Sequence, residues 1–364
     1  MHVGFFSGDI TRSGGTENVS IMIANELSGK TDYEISFVSL FEERDVPFFP
    51  INPGIRRLSL YATPTHGIQH YFDTCNRLRK IVTERHIDLL IDIDGILDMY
   101  SLPVKRKTGV RVISWEHFNY LQNPGVPYRK LTRRWAARSA DGIVTLTETD
   151  KKLYQRNLRL KCPVMAIPNP MEKPDASVSY NADSHLILSS GRLTYQKGFD
   201  LLVKVAGKVL PEHPDWTWVI LGEGEDRLTL EREIQNAHLH GRLILKGRVD
   251  DVDSYYRRAA MFVMTSRFEG LPMVLLEAKA HRLPLVSFDC LTGPAEIIED
   301  GVNGVIVPPN DIEAMATAVD GLVMNRSTRI EYSNMSDSNV EQYAIRTIRE
   351  HWLRLLRSLD AGSL

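Results

Sequence analysis

Cysteine is nearly absent from this sequence: Cys75, Cys162 and Cys290 are odd in number and far apart along 364 residues. That spacing offers no disulfide framework and no metal-binding pattern, and it suits a reducing compartment. Long apolar runs are missing as well; none approaches the ~18 residues of a membrane span. The opening MHVGFFSGDI carries no basic leader and no cleavage pattern, so a secretory signal is not expected. A net charge of −2 argues against a nucleic-acid partner for the chain as a whole.

What the sequence does contain is a globular composition, 43% apolar and 25% charged. At roughly 100–200 residues per domain the length suggests two domains. Strand-length apolar runs alternate with helix-length amphipathic segments. HVGFFS, EISFVSL, HIDLLIDID, VRVISWE and DGIVTLT read as strands buried on both faces, with helices such as 18–27 and 71–84 between them. The pattern breaks over about residues 168–184, where prolines and small polar residues gather, and an interdomain linker is placed there. A second set follows. LILSSGRL, TWVILGEG, LILKGRV, MFVMTSRF, LPLVSFD and GVIVPPN are strands; 197–209, 226–238, 252–260 and 273–280 are helices; the chain is mostly helical after 311. The expected fold class is α/β, with two doubly wound, Rossmann-like domains facing a central cleft at the carboxyl ends of their parallel strands.

The stretch SRFEGLPMVLLEAKA reads as strand exit, tight turn and helix. Gly270 permits the turn and a close ligand approach, and Pro272 suits the first turn of the helix. Free N–H groups near Leu271, Met273 and Val274 then form an anion site suited to phosphate. Glu269 beside such a site would repel phosphate, so it is read as an acceptor for hydroxyls on an attached sugar. Glu277, inside the helix, is read as an acceptor for a ribose. The plain alternative is two solvated acids. In SSGRLTYQKGFD, Arg192 and Lys197 flank a loop-to-helix transition. Two cations there suit a pyrophosphate gaining charge as its bond to a sugar breaks, although either alone is ordinarily a solvated side chain.

GRLTYQKG together with Glu269 and Glu277 in FEGLPMVLLEA resembles the retaining family 4 glycosyltransferases, which have the GT-B fold. SGGTE near the front, IPNP at the linker and GPAEIIEDGVNGVIVPPND later extend the likeness over essentially the whole chain. The resemblance implies an acceptor-binding domain over 1–170, a nucleotide-sugar-binding domain over 171–340, and a helix over 341–364 packing back on the first domain. It implies a catalytic set of Glu269, Arg192, Lys197 and His117, the last in ISWEHFNY as a contact to a sugar hydroxyl; a packed histidine is the alternative. Gly14 and Gly15 would meet the donor phosphate, and backbone near Arg248 and Val249 the base, often uracil. The implied activity is metal-independent transfer, with retention, of a hexose or N-acetylhexosamine from a UDP-sugar to a glycan acceptor. A lipid-linked acceptor in bacterial surface polysaccharide or lipopolysaccharide assembly is expected, and no cofactor beyond the donor. The rivals are a UDP-sugar epimerase on the same fold and a non-catalytic sugar-nucleotide-binding partner subunit.

Four further signals stand outside this set. Asp92 and Asp94 in IDIDG could be a metal motif, but a strand end with alternating acids is preferred. GEGED lacks the full dinucleotide fingerprint. YRKLTRRWAARSA reads as a basic amphipathic helix in which Arg129, Lys130, Arg133, Arg134 and Arg138 meet an anionic membrane surface. The alternative is a solvated helix with Leu131 and Trp135 turned to the core. The expected location is cytoplasmic, peripheral on the inner face of the cell membrane. KRKTGVR, nearby in sequence, is a second basic cluster.

Overall fold

The computed structural model describes residues 1–65, 69–123, 126, 128–171 and 179–360. It forms two compact units, Met1–Pro170 with Ile345–Leu364, and Met171–Ala344. Much of the expected linker, residues 172–178, lies outside the described residues.

Among the described residues the first unit has seven strands: β1 (His2–Ser7), β2 (Glu34–Ser39), β3 (Arg56–Ser59), β4 (Leu89–Ile93), β5 (Arg111–Trp115), β6 (Gly142–Thr145) and β7 (Val164–Ala166). They pair in parallel in the order β3-β2-β1-β4-β5-β6-β7. β1, β4 and β6 are buried along their whole length, as central strands covered by helices on both faces must be. The helix Ile345–Asp360 lays its apolar stripe on this unit: Trp352 packs edge-on against Trp115 at 4.9 Å, and Arg349 donates to Glu26 at 2.6 Å. Tyr343, just before it, belongs to the second unit, where its hydroxyl donates to the Glu296 carbonyl at 2.6 Å.

The second unit has six strands among the described residues: β8 (Leu186–Ser190), β9 (Thr217–Leu221), β10 (Leu243–Gly247), β11 (Met261–Met264), β12 (Leu285–Phe288) and β13 (Gly304–Val307), in the order β10-β9-β8-β11-β12-β13. All adjacent pairs run parallel over a core that includes Phe199, Leu202, Trp218, Val263, Met315 and Val319. The order reverses between β8 and β11, which pair directly, Ile187 with Met261 and Leu188 with Phe262. Open α/β sheets bind ligands at such a reversal, outside the carboxyl ends of the strands. Here it sets the loop holding Arg192 and Lys197 beside the loop holding Glu269.

Two departures from the sequence reading matter. The helix expected over 197–209 is a 3-10 turn, Tyr195–Lys197, then a helix, Phe199–Val209, broken at Gly198 with φ of 64°. A Cβ there would also sit 2.2 Å from the Thr265 carbonyl oxygen, so both conformation and packing demand glycine. A helix over Asp98–Thr108 was not anticipated, because Pro103 interrupts its pattern.

Candidate functional site

The centre of the second unit's site is an ion pair. Lys197 Nζ donates to Glu269 Oε1 at 2.6 Å, with Lys197 18% and Glu269 7% exposed. Gln196 Nε2 reaches Glu269 Oε2 at 3.4 Å and the Phe268 carbonyl at 3.1 Å. Thr292 Oγ1 donates to the Glu269 carbonyl at 2.6 Å. Gly293, with φ of 99°, packs so tightly under the turn that a Cβ would lie 2.4 Å from Pro272 Cδ. Lys197 is placed from the other side by Arg267, which donates to Asp200 through two nitrogens at 2.8 and 2.6 Å and to the Tyr195 carbonyl at 2.8 Å. Its guanidinium also lies over the Tyr195 ring at 4.2 Å. The sequence reading gave no role to Arg267, Gln196, Thr292 or Gly293; a local hint was the turn-forming Thr-Gly-Pro that opens the short helix Pro294–Ile297.

The helix Met273–Ala280 begins directly after Pro272, so the amides around Leu271, Met273 and Val274 lie at its amino end, next to Gly270 and Glu269. Glu277 sits one turn further along and takes the Tyr256 hydroxyl on Oε2 at 2.8 Å. Arg192 is exposed on the β8 exit loop and makes no hydrogen bond or ion pair among the described residues. Arg248 and Val249 follow β10, whose last residue, Gly247, accepts from the Gly222 amide at 2.9 Å. The structure therefore sets Lys197 against Glu269 and places Gly270–Val274 and Glu277 on the same loop and helix. Arg192 shares the β8 exit loop with Lys197, whereas Arg248 and Val249 lie at the exit of β10, with β9 between the two.

Gly14, Gly15 and His117 are in the first unit. Gly14 caps the helix Gly15–Lys30 without a side-chain hydrogen bond; a Cβ on it would collide with Glu17, whereas one on Gly15 would meet nothing within 4 Å. His117 is buried against Trp115, ring centroids 4.6 Å apart, and its Nε2 has no hydrogen-bond partner among the described residues. Burial, which disfavours the charged imidazolium, pulls its pKa down to about 4, so the ring is neutral near pH 7. A buried polar atom without a partner is unusual enough to mark a place for one.

The two acids of IDIDG are both engaged inside the protein. Asp94, with φ of 88°, takes two guanidinium nitrogens of Arg129, one of them at 2.9 Å. Asp92 accepts from Ser101, and Asp98 beside it accepts from Ser114 Oγ at 2.7 Å. Burial raises both carboxyls, Asp92 to about 7 from an ordinary 3.8 and Asp98 well above its usual range, with the charge of Asp92 adding to the rise. The folded form favours protonation, so the stability this pair contributes is complete below the unfolded value near 3.8. It is lost as pH climbs through about 7. Thermal melting between pH 5 and 8 should show the melting temperature falling with pH, and Asp92→Asn should flatten that slope; an equal slope in the variant would contradict the assignment.

The basic helix, Arg129–Ser139, corrects the reading of YRKLTRRWAARSA. Arg129 and Arg133 are not available to a membrane. Arg133 is 1% exposed, paired with the equally buried Glu116 at 3.2 Å, and donates to the carbonyls of Tyr120, Gln122, Phe118 and Asn119. The Arg129 guanidinium lies over the Phe118 ring at 4.9 Å. Nor do Leu131 and Trp135 face the core: they are 64% and 38% exposed. The helix is rotated so that arginines point in, because a desolvated cation is held only where charge and carbonyl oxygens surround it. Lys130, Leu131, Arg134, Trp135 and Arg138 form the outward face. No helix among the described residues is long and apolar enough to cross a membrane.

Residues 13–172 match the family described as Glycosyltransferase Family 4, and residues 172–339 match Glycosyl transferases group 1. The chain is 32% identical over 354 residues to an uncharacterized glycosyltransferase of Haemophilus influenzae, across 97% of this chain and 99% of the relative. It is 26% identical over 354 residues, 94% of this chain and 95% of the relative, to an N-acetyl-D-galactosaminyltransferase of Campylobacter jejuni whose name carries a PP-undecaprenol glycan. Among solved structures, Anabaena HepE in complex with UDP and glucose aligns with a TM-score of 0.79 at 15% identity, over 98% of this chain and 99% of that one.

Proposed function

The chain belongs to the family 4 glycosyltransferases with the GT-B fold, and from that membership we propose that it moves a hexose or N-acetylhexosamine from a UDP-sugar to a lipid-linked glycan, with retention. The observation that carries the reading is the Lys197–Glu269 pair, held at the β8/β11 reversal beside the amino end of the helix Met273–Ala280. One cation, one buried acid and a helix terminus within a single strand-exit pair suit a ligand with a diphosphate at one end and hydroxyls at the other.

In this mechanism Lys197 and Arg192 take the diphosphate, helped by the amides near Leu271, Met273 and Val274. Glu269 accepts from hydroxyls of the donor sugar, and Glu277 from the ribose. The backbone near Arg248 and Val249 faces the base. The bond from anomeric carbon to phosphate oxygen breaks while the acceptor oxygen bonds to the same face. The acceptor's proton passes to the departing phosphate oxygen, so no enzyme nucleophile is needed. Cationic side chains meet the developing charge, the work a divalent ion does elsewhere. His117 offers a neutral imidazole nitrogen to a sugar hydroxyl. The UDP and glucose held by HepE and the PP-undecaprenol in the Campylobacter relative's name support the choice of donor and acceptor.

An anionic membrane surface on the cytoplasmic side is part of the proposal, now through Lys130, Arg134 and Arg138 with Leu131 and Trp135 beside them. Each cation near such a surface contributes roughly 1 kcal/mol, and an exposed Trp suits the interface.

Purified protein should be incubated with several UDP-sugars in chelator, with and without an undecaprenyl-diphosphate-linked glycan. UDP release that requires the acceptor, with donor and product sharing one anomeric configuration, is the expected result. Conversion of the UDP-sugar alone would favour the epimerase, and binding without turnover the non-catalytic subunit. Inverted product or a metal requirement would overturn the mechanism.

A further inference from the structure

Tyr256 is a buried phenol whose hydroxyl donates to Glu277 Oε2 at 2.8 Å. Its ring stacks on Phe262 and on His281, centroids 5.7 and 4.9 Å away with interplanar angles of 24° and 18°. His281 is itself held at both ring nitrogens, by the Glu277 carbonyl at 2.8 Å and by Asp253 at 2.6 Å. A tyrosine packed this tightly cannot swing, so its one proton is aimed at one carboxylate oxygen. Burial and the Glu277 charge hold the phenol well above its ordinary pKa, which keeps it a donor.

A glutamate on a helix surface ordinarily samples several rotamers, and ordering it costs entropy each time a ligand binds. We propose that Tyr256 is the positioning residue of the nucleoside half-site: it locks Glu277 in the rotamer that meets the ribose hydroxyls, and so sets the preference for ribose over deoxyribose diphosphates. The proposal rests on the reading that Glu277 takes the ribose. Tyr256 touches no substrate. It acts through Glu277, whereas Lys197 and Glu269 act on the diphosphate and the transferred sugar.

The test is calorimetric binding of UDP and 2′-deoxy-UDP to the wild type, Tyr256→Phe, Glu277→Gln and the double variant. The Phe variant keeps the ring and its stacking, so its melting temperature controls for packing. Losing a hydrogen bond to a charged group corresponds to roughly tenfold in affinity. Tyr256→Phe should therefore weaken UDP by about tenfold, weaken 2′-deoxy-UDP much less, and change nothing further in the Glu277→Gln background. In turnover, KM for the donor should rise while kcat stays within about twofold. Equal weakening of both ligands would reduce Tyr256 to a packing residue and overturn the proposal, as would no weakening of either. If Glu277→Gln leaves the preference for UDP intact, the ribose reading itself fails and the proposal with it. A Gln effect without a Phe effect removes Tyr256 alone.

Discussion

Lys197→Ala should slow glycosyl transfer by on the order of a thousandfold while the protein stays folded, because removing one preorganised group aimed at developing charge costs about 10²–10³ in rate. Lys197 is placed from three directions. Gly198 turns the chain out of the 3-10 segment, Thr265 Oγ1 donates to the Lys197 carbonyl at 3.2 Å, and Arg267 clamps Tyr195 and Asp200. Such support fixes the backbone from which the ammonium reaches out, so the side chain has only to swing from Glu269 onto the diphosphate as the donor binds. The loss should fall on kcat more than on KM, since charge on the leaving diphosphate grows only in the transition state. Glu269→Ala should not add its own cost in full to that of Lys197→Ala, because the two side chains act as one unit at 2.6 Å. Steady-state kinetics with matched melting curves check this. Near-normal turnover in the Lys197 variant would remove it from the catalytic set.

The second large effect separates two neighbours on one helix. Arg133→Glu should destabilise the first unit by about 3–5 kcal/mol, the cost of breaking a buried pair, and more because it sets an acid against Glu116. Arg133 also binds the carbonyls of Phe118, Asn119, Tyr120 and Gln122, so the variant frees the loop that follows His117. Arg134→Glu, on the outward face, should leave the melting temperature within a few degrees. It should instead reduce binding to vesicles containing anionic lipid, increasingly so when combined with Lys130→Glu. Thermal denaturation and vesicle co-sedimentation of the two variants give the contrast. Equal stability in both would mean that Arg133 is not the buried anchor, and unchanged partitioning of the Arg134 variant would remove the membrane face.

That contrast also shows where the sequence stopped being informative. The alternation of HVGFFS-type runs with amphipathic segments was legible because central parallel strands must be apolar on both faces. The helix over 273–280 has the limits that MVLLEAKA suggested, since Gly-Leu-Pro marks its start chemically. The short edge strands β3 and β7 escaped notice: RRLS is partly exposed and follows no apolar pattern, and β7 has only three residues. The rotation of the helix Arg129–Ser139 was illegible for a different reason. The usual assumption turns Leu and Trp inward and Arg outward, and only partners brought close by folding, Glu116, Asp94 and the loop carbonyls, invert it.

In the candidate site the residues at strand exits were legible, because glycine, proline and charge cluster there. Their supports were not. Arg267 looks like any surface arginine in SRFEG, and Tyr256 like any helix aromatic in SYYRR. Each is defined by a contact, to Asp200 or to Glu277, that depends on which strands neighbour which. The order β8-β11 is what no local pattern contains.

The measurement closest to the central claim is a crystal structure of the protein soaked with UDP. Lys197 Nζ should be turned from Glu269 onto a phosphate oxygen, with the diphosphate against the amides before the helix Met273–Ala280 and the ribose hydroxyls on Glu277. A nucleotide bound elsewhere, or one bound there with Lys197 still on Glu269 and no cation at the diphosphate, would contradict it.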